Sequence, residues 1–182
     1  MDNRGSSLSV NPLPTNLHFP QDRIVLARID NRLIHGQVLE AWVPFVQADC
    51  IVVASDEVAA KPLQKKLMAA SVPRELPVII GSLAEIAEFF SRNESSRRIL
   101  LLFSSPGAAL QGYRLGIPFT ELNLGNILGG DGKRRLSCTI CLSDDDLTIF
   151  HDLETLGVRV VARCLPSDEA LDWKVLAGCG AV

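Results

Sequence analysis

The stretch RIDNRLIHGQV, from Arg28 to Val38, sets one histidine beside two arginines and an aspartate and frames them with aliphatic residues. A neutral imidazole in that company is a nucleophile with cations at hand, and the two arginines oppose protonation of the ring. Arg32 precedes His35 by three residues, near enough on a turn to hold a phosphate oxygen through two N–H groups; Arg28 lies farther back and is the weaker candidate. Gly36 allows close backbone approach, and Gln37 is a further candidate for phosphate binding or loop support. Asp30 either orients the imidazole through one N–H or pairs with Arg32, and the sequence leaves both open. Together these residues suit a dianionic phosphoryl group on or beside the imidazole, because phosphoryl transfer needs chiefly positioning and positive charge and can proceed here without a metal or cofactor. The purely structural alternative is an Arg28–Asp30 ion pair at a strand end with His35 as its cap.

Such a segment works only if the surrounding elements hold it at an accessible edge. Short β-rich runs alternate with helical ones along the chain: strands at Ile24–Ile29, Cys50–Ser55, Pro77–Gly81, Arg98–Phe103, the FTELNLG segment, RLSCTICL and Val158–Leu165. Between them the pattern predicts helices from about Gly36, over Lys61–Ala70, Ser82–Ser91, Ala108–Leu115, from Ser143, and in a tail ending at Gly178. Ser82 with Glu85 and Ser143 with Asp146 have the spacing of capping boxes. This alternation predicts an α/β fold of three α/β/α layers with a mainly parallel central sheet. Ligands in such sheets collect beyond the carboxyl ends of the strands, which singles out Asp30 to His35, Asp56, Ser104 with Ser105, and Gly125 with Asn126. The helix after His35 would aim its free N–H groups at the same place.

The chain has 182 residues, enough for one sizeable domain, with 47% hydrophobic and 21% charged residues. No apolar run reaches the roughly 18 residues of a membrane span. A net charge of -3 with dispersed Lys and Arg argues against nucleic acid as a partner. Residues 1–22 are rich in Asn, Ser and Pro without periodicity and read as a flexible extension; residues 23–182 form the domain. Five cysteines form no disulfide framework, and a cytoplasmic location fits best. Cys138 and Cys141 match C-x-x-C, but on one strand they would face opposite ways, so both read as buried small hydrophobes.

No G-x-G-x-x-G follows a strand, and GNILGGDGKR fails the Walker pattern at Ile127 and Arg134, leaving Gly129, Gly130 and Gly132 as a turn. Of the three histidines, His18 lies in the extension and His151 follows Phe150 on a helix whose core face is Leu147, Phe150 and Leu153. His35 remains.

RIDNRLIHGQV, followed by Trp42, closely resembles the active-site segment of the IIB subunits of the mannose/fructose/sorbose family of the phosphoenolpyruvate-dependent sugar phosphotransferase system. The likeness continues through IVVASDEVA, LLLFSSP, ELNLGN and LGVRVVARCLPSD. The resemblance implies a cytoplasmic phosphotransferase in an α/β/α fold whose His35 accepts a phosphoryl group from a phosphorylated IIA domain. It would pass that group to a sugar presented by the membrane subunits IIC and IID, with Arg32 beside the phosphoryl group, Asp30 and Asp56 near the same edge, and no metal or organic cofactor. Asn31 stands where the family often has Asp, and Ser104 and Ser105 replace more usual Lys or Asn types; their hydroxyls either donate to phosphate or form a turn. Pro44 should kink or shorten the helix after Trp42. Two other roles are compatible with the same residues: a regulatory relay without transport, and a module that binds a phosphorylated ligand noncovalently. The sugar and the oligomeric state stay open.

Overall fold

The computed structural model describes residues 24–92 and 97–178. The expected extension and His18 lie outside the described residues. β1 (Ile24–Asp30) leads through the His35 loop into a wide π-helical turn, Val38–Trp42, and α1 (Val43–Val46). β2 (Cys50–Ala54), α2 (Asp56–Ala59), α3 (Pro62–Ala70), β3 (Val78–Gly81), α4 (Leu83–Arg92), β4 (Ile99–Phe103), α5 (Pro106–Arg114) and β5 (Glu121–Asn126) follow. A hairpin of β6 (Arg134–Arg135) and β7 (Cys141–Leu142) then precedes α6 (Asp144–Thr155), β8 (Arg159–Ala162), β9 (Leu171–Asp172) and α7 (Trp173–Ala177).

The central sheet has the order β3-β2-β4-β1-β5-β8-β9 and is parallel except for β9. β2 and β4 are apolar on both faces, as strands sandwiched between helical layers tend to be. Val52, Leu101, Ile29 and Leu124 face α4, α5 and α6, while Ile51, Val53, Leu100 and Leu102 face Val38, Trp42 and the residues around α3. The mainly parallel three-layer architecture expected from the sequence is therefore the one observed. From β1 the chain runs to β2 on one side of the sheet, and from β5 it runs to β8 on the other. Connections diverging in this way open a crevice between β1 and β5 at their carboxyl ends, the usual ligand position in such sheets.

Both capping boxes form. Ser82 Oγ accepts from the Glu85 N–H at 3.2 Å while Glu85 takes the Ser82 N–H at 2.7 Å, and Ser143 with Asp146 repeats the exchange at the start of α6. Hydrogen bonds to its helix-start partners hold the Glu85 carboxyl below its ordinary range. The tail helix ends at Gly178, whose φ of 72° supplies the left-handed cap.

Three expectations need correction. RLSCTICL is not one strand: Ser137 Oγ accepts the N–H groups of Thr139 and Ile140, turning the chain into a hairpin, because a local hydroxyl acceptor competes with the sheet ladder. Cys138 is consequently exposed and Cys141 half-buried, so neither is the buried small hydrophobe the alternation implied. The last strand stops at Ala162 rather than Leu165, since the carbonyls of Arg163 and Cys164 turn to a side chain of β1. The distortion expected at Pro44 falls just ahead of it, and the helix runs on past Pro44 to Val46. The Val43 N–H reaches back five residues to Val38, and the chain leaves the helix at Gln47 with φ of 52°.

Replacing Ser143 with Ala removes the acceptor at the start of α6 and should cost about 1 kcal/mol. A lowered urea midpoint with an unchanged denaturant slope checks this.

Candidate functional site

Three residues of β1 and its loop form the centre. Side chains alternate along a strand, so Arg28 and Asp30 point to the face that carries Trp42, opposite Ala27 and Ile29. Both are fully buried and paired, Arg28 Nη2 donating to Asp30 Oδ2 at 3.1 Å. The guanidinium also donates from Nη1 to Asn123 Oδ1 at 2.6 Å and to the Arg163 carbonyl at 3.0 Å, and from Nη2 to the Cys164 carbonyl at 3.4 Å. Trp42 covers it at 4.8 Å and donates its own Nε1–H to the Cys164 carbonyl at 3.2 Å. Burial lowers the Arg28 pKa, and Asp30 opposes that shift. Arg28 thus sits beneath the loop with its terminal nitrogens bonded to Asp30, Asn123 and the carbonyls after β8.

Room for that guanidinium comes from Gly125. The β1–β5 pairing runs Ile29 with Leu124 and then Asp30 with Asn126, so Gly125 is skipped as a bulge. A Cβ on Gly125 would lie 1.8 Å from Arg28 Cζ. An interior strand glycine often marks such a close approach.

Asp30 distributes its oxygens over the whole loop. Oδ2 accepts from Arg28 and from His35 Nε2 at 3.0 Å, and Oδ1 accepts from the backbone N–H of Arg32 at 3.1 Å. Asp30 thus contacts the imidazole and the Arg32 main chain. An ionised carboxylate only accepts, so the ring carries its proton on Nε2 and, when neutral, presents the Nδ1 lone pair. Among the described residues no group hydrogen-bonds to Nδ1. The Leu33 N–H closes the turn onto the Asp30 carbonyl at 2.9 Å, and Leu33 takes a left-handed φ of 56° while burying its side chain beside Ile34. For a leucine that conformation costs about 1–2 kcal/mol, which the buried side chain offsets.

His35 closes the loop at the start of the next helix, where its carbonyl accepts from the Leu39 N–H at 3.1 Å. The helix-start N–H groups before Leu39 have no intrahelical acceptor and lie at the histidine's end of the helix. The His35 side chain is 15% exposed, Arg32 is exposed, and Gly36 is exposed, with only the Glu40 carboxylate, 4.0 Å away, near where a Cβ would stand. Gln37 Nε2 contacts Cys164 Sγ at 3.8 Å and ties the loop to the segment after β8. Asn31 joins the same assembly, donating to the Ser104 carbonyl at 3.1 Å and accepting from the Leu128 N–H.

The remaining candidates have other duties. Asp56 accepts the Leu83 N–H at 2.8 Å and starts α4, so its contacts are with that helix and not with the His35 loop. Ser105 Oγ caps α5 through the Ala108 N–H at 3.2 Å, and Ser104 serves the loop through its carbonyl. His151 is exposed on α6. Asn123 was missed as a site residue, although a polar side chain between Leu122 and Leu124 on a buried strand is the signal of a buried partner.

Gly125→Ala should be the most damaging single methyl in this region. It forces apart a buried ion pair that has no spare space, at a cost of about 3–5 kcal/mol. The urea midpoint should fall accordingly, and a midpoint within error of wild type would contradict the packing described.

With this geometry in place, comparison with known proteins is informative. A family model described as the PTS system sorbose subfamily IIB component matches residues 24–179. The N-acetylgalactosamine-specific phosphotransferase enzyme IIB component 2 of Escherichia coli K12 is 36% identical over 149 residues, covering 82% of this chain and 95% of that protein. The PTS system mannose-specific EIIAB component of the same organism is 29% identical over 163 residues, covering 88% of this chain and 50% of that protein. Among solved structures, the IIBSor domain of the sorbose permease from Klebsiella pneumoniae superposes with a TM-score of 0.80 at 29% identity, covering 87% of this chain and 98% of that one. The chain belongs to the sorbose-subfamily IIB components of the sugar phosphotransferase system, phosphotransferases that serve sugar uptake.

Proposed function

We propose that this chain carries its phosphoryl group on Nδ1 of His35, receives it from a phosphorylated IIA domain, and delivers it to a sugar held by membrane IIC and IID subunits. The observation that carries this reading is the Asp30–His35 contact, which fixes the Nε2–H and leaves Nδ1 directed away from its protein partner. The IIA partnership is supported by the mannose-specific relative, whose name joins an A and a B component.

In the loading step the Nδ1 lone pair attacks phosphorus on the donor phosphohistidine. The donor P–N bond breaks, its electron pair returns to the donor imidazole, and a P–N bond to His35 forms. No proton has to move: His35 keeps its Nε2–H, and Asp30 faces the positive charge that the phosphorylated ring acquires, much as the carboxylate of a catalytic triad faces an imidazolium. Arg32 and the helix-start N–H groups offer donors to the phosphoryl oxygens. Unloading is the reverse displacement by a sugar hydroxyl oxygen. The P–N electrons return to Nδ1, and the hydroxyl proton leaves to a base on the acceptor side. A partly exposed imidazole at the loop rim suits a group that two successive partners must reach. In this reading the chain works at the cytoplasmic face of a permease by peripheral contact; no helix among the described residues is long and apolar enough to cross a membrane.

Incubation with phosphoenolpyruvate, the general phosphotransfer proteins and a cognate IIA domain should add one acid-labile phosphoryl group, detected by intact mass and absent in His35→Ala. Arg32→Ala should keep the modification while slowing it by about 10²- to 10³-fold. A wild-type chain that stays unmodified beside demonstrably phosphorylated IIA overturns the proposal.

A further inference from the structure

The exposed arginine at this site raises a physical problem. A guanidinium on a long surface side chain samples many rotamers, and a phosphoryl clamp needs one of them. Anchoring by a carboxylate would solve the geometry but neutralise the charge. The structure offers a different solution in Asn126, at the carboxyl end of β5, where only 7% of the residue is exposed.

With its amide oriented so that oxygen meets a donor and nitrogen an acceptor, Asn126 Oδ1 accepts from Arg32 Nε at 3.1 Å and Nδ2 donates to the Thr139 carbonyl at 3.3 Å. The opposite orientation gives Asp30 a marginal donor at 3.5 Å but sets two donors against each other at Arg32 and two acceptors at Thr139, so the first is preferred. Thr139 is itself fixed, its carbonyl also accepting the Ile127 N–H at 2.8 Å while Cys141 N–H bonds the Ile127 carbonyl at 2.9 Å. The amide is therefore held by the β6–β7 hairpin side of the crevice. It uses one of the five guanidinium donors and leaves the terminal nitrogens for a ligand, without adding a negative charge that would repel a phosphoryl dianion.

We propose that Asn126 is a positioning residue that holds the Arg32 guanidinium for phosphoryl transfer, with the β6–β7 hairpin setting the direction of its amide through Thr139. This rests on the carrier reading of His35. Asn126 touches neither donor nor phosphoryl group; it acts only through Arg32, and that makes the idea separable from a general loss of structure.

The test is a double-mutant cycle on the rate of phosphoryl transfer from phosphorylated IIA, with wild type, Asn126→Ala, Arg32→Ala and the double variant, each checked by thermal melting. Asn126→Ala should lower the maximal rate by roughly 10- to 100-fold with the KM for IIA unchanged. In the Arg32→Ala background the same change should cost no more than about twofold, because the residue it serves is gone. Additive losses, or a wild-type rate in Asn126→Ala, overturn the proposal while leaving the carrier reading intact. Failure of wild type to be phosphorylated rejects the carrier reading instead. If Asn126→Ala does not fold, hydrogen exchange of arginine Nε–H groups in wild type decides: Arg32 should exchange more slowly than surface Arg74, and equal rates overturn the anchor.

Discussion

The buried Arg28–Asp30 pair is the contact on which the site depends. Each charge alone would cost several kcal/mol to bury, and their mutual attraction repays this only because every remaining polar atom of the carboxylate is also used. Arg28 supplies the counter-charge and donates from its terminal nitrogens to β5 and the segment after β8, so the pair joins three parts of the sheet edge. Asp30, held in place by that counter-charge, presents one oxygen to the imidazole and one to the next turn. A buried pair of this kind is weak evidence for stability but strong evidence for a specified geometry. Replaced by apolar residues the strand would still pack, yet nothing would then choose the tautomer of His35.

Charge at the site is graded with depth. The lowest layer is neutral in sum, one guanidinium against one carboxylate, both out of water. Above it His35 is partly exposed, and above that Arg32 and the free N–H groups of the helix start are at the surface. An incoming phosphoryl dianion thus meets uncompensated positive groups first and the compensated pair only through the imidazole. Reaching the histidine does not require it to pass the Asp30 charge, because that carboxylate is fully engaged behind the ring.

Much of this was legible in the residues because local rules agreed with the fold. Alternating strands and helices gave the layers, serine caps located the starts of α4 and α6, and the position of His35 after a strand put it at the binding edge. Reading failed where one side chain satisfies remote backbone. Nothing in the order of residues says that the carbonyls of Arg163 and Cys164 turn to an arginine 135 and 136 positions earlier, or that Gly125 is small because that guanidinium fills its Cβ position. RLSCTICL misled for a related reason: its β-branched character suggested a strand, while a single serine hydroxyl bent it into a hairpin. Asp56 and Ser105 were placed at the correct edge, but position alone could not show that helix starts had already claimed their oxygens.

The wide turn at Val38–Trp42 has a consequence for how segments of this length can diverge. A π turn is an α-helix with one residue inserted, and in an α-helix each residue advances the side-chain direction by about 100°. Trp42 lies beyond that extra residue, so its place over Arg28 depends on the count of residues from His35 and not only on their chemistry. Losing one residue anywhere between the two would let the helix regularise and would swing the indole off the guanidinium, exposing a charge that no other aromatic among the described residues covers. Substitutions in this stretch can be judged one side chain at a time; insertions and deletions cannot. The spacing between histidine and tryptophan is a ruler, and its length is as much a part of the site as either residue.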